Sequence, residues 1–236
     1  MMKVLLITVG IASAAALIAI SIISSGYNSQ ISYNNSRSII NDINSHKFIP
    51  INENANVKGY ISSLLKSYLS WDELVKDSTT IIVGKVIKVR GSLVEKSEVV
   101  YGEGKRIEYG IPHTFSDIKV ERVLKSTNNI TEGDTIILQQ LGGMLDEENM
   151  VVTDVDILVK EGERYVMFLG EQLPNDWHGL VTYGGITIYT RYIIIDDRVY
   201  SMNYIYPDKG TGNNLQVNGK PLDEFIKEIT TIIRGR

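Results

Sequence analysis

Cysteine is absent from the 236 residues. That absence excludes disulfides, thiolate metal sites, a cysteine nucleophile and a lipidated cysteine anchor. Stability must therefore come from an apolar core. Histidine is scarce as well. Only His46, His113 and His178 occur, and no H-x-H or H-x-x-x-H spacing pairs them, so the converging ligands of a zinc site are not expected. An excess of basic charge is also missing: 24 basic and 28 acidic residues leave a net charge of −4. Such a body has no general attraction for nucleic-acid phosphates or anionic lipid surfaces. There is no G-x-S-x-G nucleophile turn and no D-x-D-x-D-G calcium loop, the patterns that would mark those chemistries. Gly142-Gly143 and Gly184-Gly185 are followed by neither Lys-Ser/Thr nor a helix, so they read as turns or bulges and not as phosphate loops. No internal repeat is present. No catalytic, cofactor or metal residue is assigned, no cofactor is expected, and the chain does not read as an enzyme.

Charge is missing altogether from Val4 to Ile23 (VLLITVGIASAAALIAISII). As a helix this run is ~30 Å long, the hydrocarbon thickness of a bilayer. A cleaved signal peptide usually has a shorter apolar region closed by a small-residue site. Here Ala12, Ser13 and Ala14 lie in the middle of the run. Residues 1–23 therefore read as a cytoplasmic tip and a single-pass transmembrane anchor, with Lys3 on the cytoplasmic side and the larger polar domain outside the cytoplasm. Type IV pilins share this layout, but their helix follows a basic leader ending in a small residue. This chain has only Met1, Met2 and Lys3 before Val4. Residues 24–56, rich in Asn and Ser and without a sustained apolar period, read as a flexible tether.

From residue 57 to 236 the chain has globular character, with 43% hydrophobic and 22% charged residues overall, which excludes wholesale disorder. Tyr60–Leu69 carries Ile61, Leu64, Leu65 and Tyr68 at helical spacing. Ser70 and Glu73 form a capping box opening a second helix with Trp71, Leu74 and Val75 inward. Strands follow at Thr79–Arg90, Thr114–Leu124, Asp134–Leu141, Val151–Val159, Arg164–Leu169, Leu180–Tyr183, Ile186–Ile195 and Val199–Tyr206. Gly84 inside the first marks a bend, bulge or close approach. Ser116, Ile118 and Val120 alternate with Asp117, Lys119 and Glu121, and Asp196-Asp197 reads as a hairpin turn. Leu222, Phe225, Ile226, Ile229 and Ile233 make the apolar stripe of a C-terminal helix entered through Pro221. Short strands flanked by terminal helices predict a mainly β fold, a small antiparallel barrel of OB-like type.

Four groups of side chains are candidate sites. Asp146, Glu147 and Glu148 with Asp154 and Asp156 are the best cation candidate, but an ordinary solvated loop explains them. Lys85, Lys88, Arg90, Lys119 and Arg122 lie on adjacent strands, diluted by Glu95, Glu98, Asp117 and Glu121, so nucleic acid is not an expected partner. Tyr183, Tyr189, Tyr192, Tyr200, Tyr204 and Tyr206 crowd the last third, as a sugar or peptide surface or as β-sheet packing. The histidines read as loop residues.

The segments SWDELVKDSTTIIVGKVIKV, SDIKVERVLKS, GDTIILQQLGG and EGERYVMFLG, between residues 70 and 170, resemble netrin-like modules, the group that includes tissue metalloproteinase inhibitors. The resemblance implies a five-stranded OB-type barrel. The family's inhibitors use a free N-terminal cysteine and disulfides, both impossible here, so no functional residue carries over. The expected function is a membrane-anchored, extracytoplasmic, non-catalytic binding or scaffolding module. Its partners are membrane lipid through residues 4–23 and another envelope protein or a glycan. The alternative is a subunit of an envelope lattice or pilin-like filament.

Overall fold

Two long strands, β2 (Thr80–Val100) and β3 (Arg106–Ser126), pair antiparallel throughout and carry the fold. The computed structural model describes residues 47–61, 68–100, 106–153, 157–172, 178–185, 190–205 and 215–235, all within one compact unit, Asn41–Arg236. The expected anchor at 4–23 and the expected tether as far as residue 46 lie outside the described residues. Among the described residues no helix is long and apolar enough to cross a membrane.

The remaining strands are β1 (Asn56–Ile61), β4 (Thr135–Leu141), β5 (Gly143–Met144), β6 (Asn149–Thr153), β7 (Arg164–Gln172), β8 (Thr182–Gly185), β9 (Arg191–Ile195), β10 (Arg198–Ser201) and β11 (Asn218–Pro221). One sheet has eight strands in the order β11-β10-β9-β7-β2-β3-β4-β8, and a smaller one runs β1-β6-β5. The large sheet returns on itself. β7 pairs with β2 along one side, and on its other side with β9 at Arg164–Met167 and β8 at Leu169–Gln172. β4 pairs with β3 and meets β8 in parallel at Leu138 and Tyr183. The pairings β2-β3-β4-β8-β7-β2 thus form a closed circuit.

Because strand side chains alternate between faces, β2 and β7 feed two apolar layers. Ile82, Val86, Ile118, Leu138, Tyr165 and Met167 fill the inside of the circuit. Ile81, Val83, Val166 and Phe168 point the other way, toward helices α1 (Trp71–Asp77) and α3 (Leu222–Arg234). Burial on both faces explains why this part of β2 reads as an unbroken apolar run. The expected alternation in β3 holds, with Ser116, Ile118 and Val120 buried. Gly84 also behaves as expected: the β2–β3 register slips beside it, and a Cβ there would stand 2.6 Å from Ile118 Cγ2. Ser70 caps α1 by accepting the Glu73 N–H at 3.2 Å. Asp196 and Asp197 both adopt positive φ (49° and 55°), the backbone a two-residue hairpin turn requires.

Several expectations are corrected. Lys47–Ala55 is not tether. Phe48 packs edge-on against Phe115 at 5.6 Å, and Ile49 exchanges both backbone hydrogen bonds with Ser92. The helix expected from Tyr60 to Leu69 does not begin there, since Tyr60 and Ile61 end β1, which pairs in parallel with β6. Residues 62–67 lie outside the described residues. The strand expected over Val199–Tyr206 stops at Ser201, and a helical turn, α2 (Met202–Ile205), follows. Gly184-Gly185 is no turn; it is paired inside β8 with β7. α3 lies on the outer face of the sheet with α1, on the side opposite the circuit's interior.

Candidate functional site

A cleft of about 740 Å³ lies between β2, the end of β4, β6 and the segments 50–53 and 157–161. Aliphatic side chains dominate its wall: Ile51, Val89, Leu141, Val151, Ile157 and Val159. The 157–159 segment is pinned from inside the fold. Gln140 donates to the Ile157 carbonyl at 3.1 Å and accepts from the Val159 N–H at 3.0 Å, and the Arg191 guanidinium donates to the same Ile157 carbonyl at 2.8 Å. The charges at the cleft are largely taken up locally. Lys160 stands 3.6 Å from Glu53, and Glu161 accepts the Val89 N–H at 2.9 Å.

Arg90 is the exception. The β2–β3 register slips between Val89 and Gly91, and a bulge of this kind re-aims the side chain it contains. The Arg90 guanidinium donates through Nε to Asp117 Oδ1 at 2.7 Å, and its Nη2 lies 2.7 Å from the same oxygen in an ion pair. Its Nη1 is buried without an acceptor among the described residues. An unmet donor on a charged group is costly in low dielectric.

The floor of the cleft at Gly142-Gly143 rests on two fully buried hydroxyls. Ser92 Oγ and Thr114 Oγ1 are 3.1 Å apart, Thr114 donates to the Gly142 carbonyl at 2.8 Å, and Met144 N–H donates to Ser92 Oγ at 2.9 Å. These hydroxyls tie β2, β3 and the segment 142–144 together.

A second polar chain crosses β2, β3, β4 and β8. Thr182 donates to Gln139 Oε1 at 2.7 Å, Gln139 Nε2 lies 3.1 Å from His113 Nδ1, and His113 Nε2 lies 3.2 Å from Glu95. An amide N–H can only donate, so Nδ1 accepts and the imidazole proton sits on Nε2, facing Glu95. Burial lowers the His113 pKa, with the Glu95 charge and hydrogen bond opposing it. The unfolded imidazole titrates near ~6.5 and therefore binds its proton more readily than the folded one, so stability falls as pH drops below that value. The melting temperature is expected to decline from pH 7 to pH 5, and to decline less in His113→Gln. Equal slopes in the two proteins would remove His113 from the account.

The other candidates resolve individually. His178 is buried, accepts the Leu180 N–H at 2.9 Å and packs edge-on to Phe115; His46 lies outside the described residues. Asp146 closes a turn, accepting from the Glu148 and Asn149 N–H groups at 2.9 Å, and hydrogen bonds from Asn149 and Glu148 hold its carboxyl below the usual range. Asp154 and Asp156 lie outside the described residues, among which no three metal-binding side chains converge. Of the basic group, Arg90 is bound to Asp117, Arg122 to Asp223 at 2.9 Å, and Lys119 to the Gly133 carbonyl. Tyr192 is core, Tyr183 is buried, and Tyr200 stacks on the exposed Tyr204 at 5.8 Å; Tyr189 and Tyr206 lie outside the described residues. The cleft was not anticipated from the sequence, although Gln139-Gln140 at the end of an apolar strand is a local signal of buried polar work beside it. No protein-family model matches the chain, and comparison with curated proteins finds no match.

Proposed function

We propose that this chain is a membrane-anchored, non-catalytic binding or scaffolding module of the cell envelope. Residues 4–23 span the membrane and the body lies outside the cytoplasm. The body is an OB-type barrel of the netrin-like kind, a reading supported by the closed five-strand circuit with its single parallel pair, β4 with β8. The observation that carries the binding role is the cleft. Its volume falls in the ~300–1,000 Å³ range of small-ligand sites, and its wall is apolar with few polar groups. No aromatic ring lines it among the described residues, so a sugar stacked on tyrosine does not belong there. A glycan or envelope protein would engage the module elsewhere on its surface, while the cleft takes a smaller apolar ligand.

Fractionation of cells expressing the full chain tests the placement. The protein should remain in the membrane pellet through high-salt and carbonate washes, because insertion of an uncharged apolar span does not depend on ion pairing. A soluble form beginning after residue 23 would replace the anchor by a cleaved signal. Sedimentation of the full chain in mild detergent as a large polymer would favour the lattice or filament subunit.

A further inference from the structure

We propose that the cleft binds an acyl-chain amphiphile, with its carbonyl or carboxylate oxygen at Arg90 and its chain along Ile51, Val151, Ile157 and Val159. This rests on the binding-module reading and goes further by naming the ligand class. The wall dictates the tail: its described residues present aliphatic surface without aromatic rings, which suits a saturated chain more than a planar or sugar ligand. The charges dictate the head. Among the described residues, Lys160 and Glu53 face each other at the rim, and Glu161 accepts a backbone N–H. Arg90 carries a buried donor that no described residue meets. Asp117 balances its charge, taking the Nε–H with Nη2 in ion-pair contact, and Nη1 has no acceptor among the described residues. Because Nη1 is screened from water, the guanidinium must pivot toward the cleft to use it. About 12% of the side chain is already open. A carbonyl or carboxylate oxygen at this wall supplies the acceptor, and a charge-assisted bond of this type is stronger than a neutral one. A trimethylammonium head offers Nη1 no acceptor.

The test uses the full chain in its membranes and a diazirine-bearing dodecanoate as probe, with labelled peptides mapped by mass spectrometry. Labelling is expected within residues 50–53, 150–153 and 157–161, competed by excess dodecanoate but not by dodecyltrimethylammonium. The paired variant Arg90→Gln with Asp117→Asn removes both charges together, so no buried charge is left alone. It should lower labelling at least tenfold. Val151→Trp, which fills the cleft and leaves the ion pair in place, should do the same. Retained melting transitions in both variants establish that the fold persists. Equal competition by the cationic amphiphile, or unchanged labelling in the paired variant, overturns the oxygen-at-Arg90 assignment while leaving a binding cleft. If neither probe labels these segments, or Val151→Trp labels like the parent, the cleft itself is not a binding site.

Discussion

Phe225→Ala should destabilise the body by about 3–5 kcal/mol, the range for truncating a buried aromatic side chain. Phe225 is 1% exposed. Its ring lies 5.2 Å from that of Trp71 and 5.7 Å from that of Tyr192. Trp71 in turn sits 5.9 Å from Phe168 of β7, so the four rings tie α1, α3 and the outer face of the sheet together. Removing one leaves a hole whose walls are held by the other three, and a site that cannot collapse sits high in the range. Glu228→Ala on the opposite face of α3 removes an ion pair to Lys220 at 2.7 Å. Both partners are partly exposed, and such a pair contributes ~1 kcal/mol or less. Denaturant melts of the two variants should therefore differ several-fold in lost stability. A Phe225→Ala midpoint equal to that of the parent would mean that the stripe is an outward docking face and not core.

What was legible in the sequence was local. Alternation in β3, the Ser70 cap, the apolar stripe of α3 and the slip at Gly84 are each decided by residues within a few positions of one another, and the structure has all four. The far half of the β2–β3 hairpin was not legible, because Gly91 and Pro112 are strand breakers by composition. Both are carried within the ladder by contacts from elsewhere: Ile49 pairs with Ser92 next to Gly91, and the Pro112 carbonyl accepts the Gly142 N–H. The start of the body was misplaced for the same reason. Lys47–Ile61 has no strong period of its own and is ordered by Phe115, Ser92 and β6. The cleft was beyond sequence reading because its wall comes from separate segments and its one distinctive charge, Arg90, is aimed by a bulge. In the sequence Arg90 is one more cation at the end of a strand.

Gly143→Ala should be among the most damaging single-methyl additions to the body. Gly143 has φ of 126°, a region that costs a non-glycine residue about 1–3 kcal/mol. Its Cβ would also fall on Thr114 Oγ1 and Ser92 Oγ, two hydroxyls that are fully buried and bonded to each other, to the Gly142 carbonyl and to the Met144 N–H. Parting them leaves buried polar groups unmet, at about 1–3 kcal/mol. The sum, about 2–6 kcal/mol, is a large fraction of the ~5–15 kcal/mol that holds a domain together. Gly162→Ala separates the two contributions: φ there is 87° and nothing lies within 4 Å of the new methyl. That variant reports backbone strain alone and should lose about 1–3 kcal/mol. Matching losses at the two sites would show that the hydroxyl cluster yields without cost and is not the rigid support of the cleft floor. A larger loss at Gly143, with a shallower protease-resistance profile over residues 140–153, would show that the floor and the hydroxyls beneath it open together.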